Sequence, residues 1–174
     1  MVNFKQVLVL LRRGLPLFVI AGFVWWSSRG AGPNGGLNTG SAPPQLSVTL
    51  ADGSLFSIAN ASQIVVLNFW ASYCPPCRSE APVLSAFQAN TADVRVVGLS
   101  VEQESAETAA TQAKRLGMRY AVGVASQAVQ ARFRVQSVPT TYVIAKGGKV
   151  VLSHVGPINS RQLEDALASA RDAS

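Results

Sequence analysis

Asn68-Phe69-Trp70-Ala71-Ser72-Tyr73-Cys74-Pro75-Pro76-Cys77-Arg78-Ser79-Glu80-Ala81-Pro82 is the stretch whose reading decides the fold. Its first residues close a continuous β-prone run, Ile64 to Trp70, of the kind that forms a strand buried on both faces. From Pro75 the pattern turns helical and predicts a helix to about Asn90. A strand running straight into Cys74 puts that sulfur at a helix N-terminus. Pro75 then takes the first helical position, where a missing N–H costs nothing. Free amides and the positive end of the helix dipole favour thiolate over thiol there. Cys77 lies one turn on, on the same side and deeper. That spacing lets Cys74 attack a substrate disulfide and lets Cys77 resolve the mixed disulfide. Cys74 is the expected nucleophile and Cys77 the expected resolver.

These are the chain's two cysteines. Two thiols cannot furnish a four-ligand zinc site, and the single His154 is remote in sequence. A structural disulfide stabilises chiefly by closing a long loop, and this loop is nearly the shortest available. The pair therefore reads as redox chemistry, with no metal and no cofactor beyond a Cys74–Cys77 disulfide.

Working outward, Leu46 to Leu50 alternates and meets the turn pair Asp52-Gly53 before Leu55 to Ile58, predicting a small opening hairpin. Val94 to Val101 is a second buried strand, and Glu104 to Leu116 is an Ala-rich helix with acids early and Lys114-Arg115 late. A short helix near Gln127 to Phe133 precedes Val138-Pro139-Thr140. Thr141 to Ala145 and Lys149 to Val155 flank Gly147-Gly148, read as a two-residue hairpin turn. Leu163, Ala166, Leu167 and Ala170 then mark one face of a last helix capped by Asn159-Ser160. The order β-α-β-α-β-β-α predicts an α/β fold, a central mixed sheet with helices on both faces. Pro82 is expected to kink the helix that follows the cysteines.

The chain has 174 residues, 48% apolar and 14% charged, which bounds it to one packed domain. Its net charge of +6 is unevenly placed. Lys5, Arg12, Arg13 and Arg29 stand in the leader without an acid, whereas residues 46–174 set 11 basic side chains against 9 acids, a net +2. A basic leader answers to membrane topology, so a nucleic-acid partner is excluded. Residues 1–28 carry the apolar run Leu15 to Trp26 behind Arg12-Arg13, predicting one N-terminal transmembrane or signal-anchor helix with the domain outside. A cleaved signal peptide is the alternative, since a run this short fits that class too. Residues 29–45, rich in Gly, Ser, Pro and Asn, read as a flexible linker, and 46–174 as the folded domain.

The quoted segment resembles the active-site stretch of the TlpA/ResA/DsbE-like branch of the thioredoxin superfamily, and Val138-Pro139-Thr140 resembles that superfamily's cis-proline loop. The match covers about residues 46–172. It implies a thioredoxin-like fold, a cis Val138–Pro139 bond and thiol–disulfide exchange with protein substrates at the bacterial inner membrane, on the periplasmic side. It further implies a membrane-bound electron donor, and in several members the task is reducing cytochrome c precursors. Tyr73, Pro75, Pro76, Val138, Pro139 and Thr140 become the expected substrate-binding residues. Tyr73 stands where most relatives have Trp, and Asn68 where thioredoxin itself has a buried acid.

Glu80, three residues after Cys77, has two readings: a desolvated proton acceptor for a thiol, or a surface carboxylate complementing the helix dipole. His154 reads as an edge residue, Trp70 as packing beneath the site and Arg78 as solvated. The leading function is a reductase, because Pro75 and Pro76 supply no N–H groups to hold a thiolate and strong oxidants depend on a heavily stabilised one. An oxidase or isomerase is the enzyme alternative. A copper chaperone using both thiolates is the non-enzymatic one, though no Met-rich or His-rich segment accompanies the pair.

Overall fold

In the computed structural model, residues 36–59 and 61–174 are described. The elements are β1 (Ser47–Thr49), β2 (Leu55–Ser57), β3 (Ile64–Trp70), α1 (Pro75–Asn90), β4 (Val94–Ser100), α2 (Ala106–Arg115), β5 (Ala121–Val124), α3 (Gln127–Arg132), β6 (Thr140–Ile144), β7 (Val150–Val155) and α4 (Ser160–Asp172). β3 is the middle strand of a five-stranded sheet ordered β5-β4-β3-β6-β7. It pairs parallel with β4 and antiparallel with β6, and every one of its residues is buried. The expected mixed sheet is there.

Strand parity sorts the core. Val65, Leu67 and Phe69 face one layer with Phe133, the C-cap of α3, and Tyr142, where three aromatic rings meet at centroid distances of 5.5–6.1 Å. Ile64 and Val66 face the other, against Leu84 of α1 and Leu163, Ala166 and Ala170 of α4. Trp70, at the end of that second row, packs with Cys74, Cys77, Ala81 and the α2 residues Ala109 and Ala113. Asn68 sits between Val66 and Trp70 on the same face. It is the one polar residue of β3.

Three expectations change. The strand β5 was not predicted: Ala121-Val122-Gly123-Val124 is short, and Gly123 weakens its β signal. Space beside that glycine is tight, since an added Cβ would lie 3.3 Å from both Leu50 Cδ2 and Thr49 O. The turn between β6 and β7 is not a two-residue hairpin. The Gly148 N–H donates to Ala145 O and the Ala145 N–H to Lys149 O, each at 2.9 Å, so Lys146, Gly147 and Gly148 make a three-residue connection. Gly148 alone of the pair takes positive φ, at 72°, whereas a type I′ turn needs both.

Residues 36–45, expected as linker, are held on the sheet. The Gly40 N–H donates to Val150 O at 2.7 Å and the Val150 N–H to Ser41 O at 2.9 Å, while Leu37 packs on the core. At the opposite edge the β1–β2 hairpin crosses β5, with the Ala51 N–H donating to Val122 O at 2.8 Å. Both sheet edges are thus partly covered by the chain that precedes β3. The expected membrane segment, residues 1–28, lies outside the described residues. Among the described residues no helix is long and apolar enough to cross a membrane.

Gly98 of β4 is tightly enclosed, because a Cβ there would sit 2.9 Å from Tyr120 Cε2 and 3.1 Å from Trp70 Nε1. Gly98→Ala is expected to cost about 1–3 kcal/mol of stability through overpacking, read as a lowered urea midpoint with an unchanged slope.

Candidate active site

The end of β3 is pinned before the cysteines begin. The Val101 N–H donates to Trp70 O at 2.9 Å, and Glu102 accepts from the Ser72 N–H at 2.6 Å and the Ser72 hydroxyl at 3.0 Å. Cys74 follows as the N-cap of α1, in extended backbone, with Pro75 and Pro76 opening the helix. Its Sγ accepts from the Cys77 N–H at 3.1 Å. A sulfur is doing what a Ser or Asp oxygen does at an ordinary N-cap. The two cysteines are joined as a disulfide with Cα atoms 5.3 Å apart. Cys77 is fully covered, and Cys74 keeps 5% exposure, so what solvent access the pair has lies at Cys74.

Glu80 lies on the buried face of α1 with Cys77, Ala81 and Leu84. It is 1% exposed. Its Oε1 accepts from Asn68 Nδ2 at 2.8 Å and its Oε2 from the Ile158 N–H at 3.0 Å. Asn68 Nδ2 also donates to Thr141 Oγ1 at 3.0 Å. Burial pushes the carboxyl up to about 7, against the pull of the Ile158 and Asn68 donors. A carboxylate placed on the surface to complement a dipole has none of these features.

The Val138–Pro139 bond is cis. Val138 is half-buried and packs on the group containing both cysteines. Thr140 donates its hydroxyl to Ser137 O at 2.7 Å, and Pro139 O accepts from the Gly156 N–H at 2.9 Å. Tyr73 is 72% exposed, one of two large apolar side chains so open among the described residues. Pro75 is exposed and Pro76 half-buried. Arg78 is exposed, and Trp70 is buried with the cysteines. His154 sits on edge strand β7, a ring nitrogen 3.2 Å from Pro157 O. α1 continues through Pro82, which leaves the Arg78 carbonyl without its helical donor.

Sequence reading missed three contributors. Thr141 reaches Asn68 because the two are register partners across β3 and β6. Ile158 contributes a backbone amide from 78 residues away, which no side-chain motif signals. Glu102 anchors the loop before Cys74 from the segment just after β4. Only the first was open to inference, from strand pairing.

The chain is similar to several known proteins. The AhpC/TSA family model matches residues 39–153. The thioredoxin-like protein YneN of Bacillus subtilis is 28% identical over 161 residues, 88% of this chain and 94% of that protein. The thiol-disulfide oxidoreductase ResA of Bacillus anthracis is 25% identical over 134 residues, 75% of this chain and 78% of its own. The crystal structure of a thioredoxin-family thiol:disulfide interchange protein from Chlorobium tepidum superposes with a TM-score of 0.65 at 27% identity, covering 77% of this chain and 98% of the other.

The raised Glu80 carboxyl binds protons more tightly folded than unfolded. Its stabilising contribution is complete below its ordinary value of 4.5 and disappears as pH rises through about 7. That loss is on the order of 3 kcal/mol. Urea unfolding between pH 4.5 and 8 is expected to show this decline in the native chain and a much flatter profile in Glu80→Gln. Parallel profiles would show that the carboxyl is not perturbed.

Proposed function

The chain belongs to the AhpC/TSA family and is a thioredoxin-fold thiol–disulfide oxidoreductase related to the ResA/DsbE/TlpA group, and from that premise we propose that it works outside the cytoplasmic membrane as a protein-disulfide reductase. One observation carries the direction. Among the described residues the Cys74 sulfur accepts a single N–H, that of Cys77, because the two preceding helical positions are prolines. A thiolate so sparsely solvated by amides is a poor leaving group and a good reductant, the opposite of what a strong oxidant requires.

In the reduced state the Cys74 thiolate attacks one sulfur of a substrate disulfide. A mixed disulfide forms, and the other substrate sulfur leaves as a thiolate. The Cys77 thiol gives its proton to the Glu80 carboxylate and attacks Cys74 Sγ. The Cys74–Cys77 disulfide forms and the second substrate thiolate leaves, so two electrons pass from the pair to the substrate. A carboxyl near 7 is matched to this exchange, being able to take the proton and release it again. Val138 offers backbone for strand-like pairing with an extended substrate segment, bounded by Tyr73, Pro75, Pro76, Pro139 and Thr140.

The basic, apolar residues 1–28 support a single-pass anchor in the bacterial inner membrane with the domain in the periplasm, a cleaved and soluble form being the alternative. Anchoring favours a membrane-bound electron donor. Cytochrome c precursors are the substrate class favoured by the likeness to ResA and DsbE.

The reduction potential of the Cys74–Cys77 couple in glutathione buffers tests the direction. It is expected nearer the about −270 mV of thioredoxin than the about −120 mV of a strong oxidant, and the second value would reverse the assignment. Glu80→Gln is expected to slow resolution of the mixed disulfide on the order of tenfold to a hundredfold in stopped-flow, with the first attack unchanged. Equal resolution rates would remove Glu80 from the mechanism.

A further inference from the structure

Tyr73 precedes the nucleophile directly and is 72% exposed. With so little of the ring packed, its position is set mainly by the backbone beneath it. Between the end of β3 and the Cys74 cap lie three residues, Ala71, Ser72 and Tyr73. Two sets of hydrogen bonds hold them among the described residues. The Cys74 N–H donates to Ala71 O at 3.3 Å, and Ser72 gives two bonds to Glu102.

The contact with Glu102 is bidentate. Oε2 takes the Ser72 N–H at 2.6 Å and Oε1 the Ser72 hydroxyl at 3.0 Å, so both carboxylate oxygens hold one residue in one orientation. The carboxylate has no other hydrogen-bond or salt-bridge partner among the described residues. Glu102 is itself fixed. Its N–H donates to Ser100 Oγ at 3.2 Å, and Ser100 is fully buried at the end of β4. Val101, between them, donates its N–H to Trp70 O at 2.9 Å, and its carbonyl accepts from Gln130 of α3 at 2.9 Å. The clamp therefore ties an exposed turn to the end of the sheet.

We propose that Glu102 is a positioning residue for substrate binding, which acts through Ser72 to fix the backbone that presents Tyr73 next to Cys74. An extended protein segment then meets an aromatic contact already in place. The inference rests on the substrate contact proposed above for Tyr73. A group ordered before binding loses less freedom when its partner arrives, and a tyrosine has few torsions to lose. Glu102 thus acts on affinity. Cys74 is held separately, by its own bond from the Cys77 N–H at the start of α1.

The test uses the full-length chain in detergent micelles and a short polar peptide closed by one internal disulfide. Exchange runs in whichever direction the Cys74–Cys77 potential favours, so the peptide is supplied oxidised or as the dithiol accordingly. Tryptophan emission follows it, because Trp70 packs with the cysteines. Glu102→Ala is expected to raise the half-saturating peptide concentration about tenfold with the limiting rate unchanged. Glu102→Gln is expected to match the native protein, since its amide oxygen accepts the Ser72 N–H and its amide nitrogen donates to the Ser72 hydroxyl. Tyr73→Ala is expected to weaken binding by a similar factor, and the double variant no further than either change alone. Native binding by Glu102→Ala, a Glu102→Gln as impaired as Glu102→Ala, or two effects that multiply in the double variant overturns the positioning role. Native binding by Tyr73→Ala defeats instead the substrate contact of Tyr73, and removes the path through which Glu102 acts. Amide relaxation in the native protein needs no variant and decides the matter even where Glu102→Ala does not fold. The Ser72 and Tyr73 amides are expected to be as ordered as those of β3, and order parameters below about 0.6 there overturn the clamp.

Discussion

A carboxyl group placed between a helix and a sheet must be met by donors, or the helix cannot dock. Glu80 is met from two directions, by Asn68 on β3 and by the backbone amide of Ile158 ahead of α4. Those bonds tie three separate parts of the chain together beneath the cysteine-bearing end of α1. They do not fully repay desolvation, which is why the group still holds its proton near neutrality. Purely apolar residues would pack this interface with less penalty. An acid retained there fits the proton transfer proposed above.

At the tip of the same helix the chemistry runs the other way. Cys74 caps α1 and takes one amide hydrogen bond, while the prolines behind it withhold the two others that an ordinary first turn would present. The dipole still favours negative charge at the sulfur, but modestly. That balance is what the proposed reductase needs: a thiolate that is available but not so stable that it ceases to attack.

Much of this was legible in the amino-acid order, because the decisive elements are long or strongly marked. β3 is seven β-prone residues, α1 begins at a proline after a cap, and α4 carries an Asn159–Gln162 capping box with four apolar residues on one face. The disulfide pair and its helix-terminal setting follow from local order alone. What escaped depends on contacts between distant segments. β5 is a strand because β4 and the β1–β2 hairpin lie beside it, not because Ala-Val-Gly-Val insists on it. Residues 36–45 look like linker by composition, yet β7 offers free backbone groups and the segment takes them. The inward aim of Glu80 was undecidable from spacing, since i, i+3 neighbours on a helix can face solvent or core equally well.

The two halves of the site are one electrostatic unit. Cys77 and Glu80, one helical turn apart on the buried face, cannot both be ionised cheaply, because two anions in that interior repel and neither is exposed. On the proposed mechanism a proton given up by Cys77 is therefore taken up by Glu80, so that only one of the two carries charge. Once Cys74 is held in a mixed disulfide, the thiolate charge at the helix tip is gone and the helix dipole is free to favour the next anion in line. Moving the proton from Cys77 to Glu80 then leaves the total buried charge unchanged while placing the negative charge on sulfur or oxygen as the reaction needs. The proposed order, Cys74 first and Cys77 second, fits the 5% exposure of Cys74 and the complete burial of Cys77, and the proton transfer to Glu80 keeps the charge beneath α1 constant through the second attack.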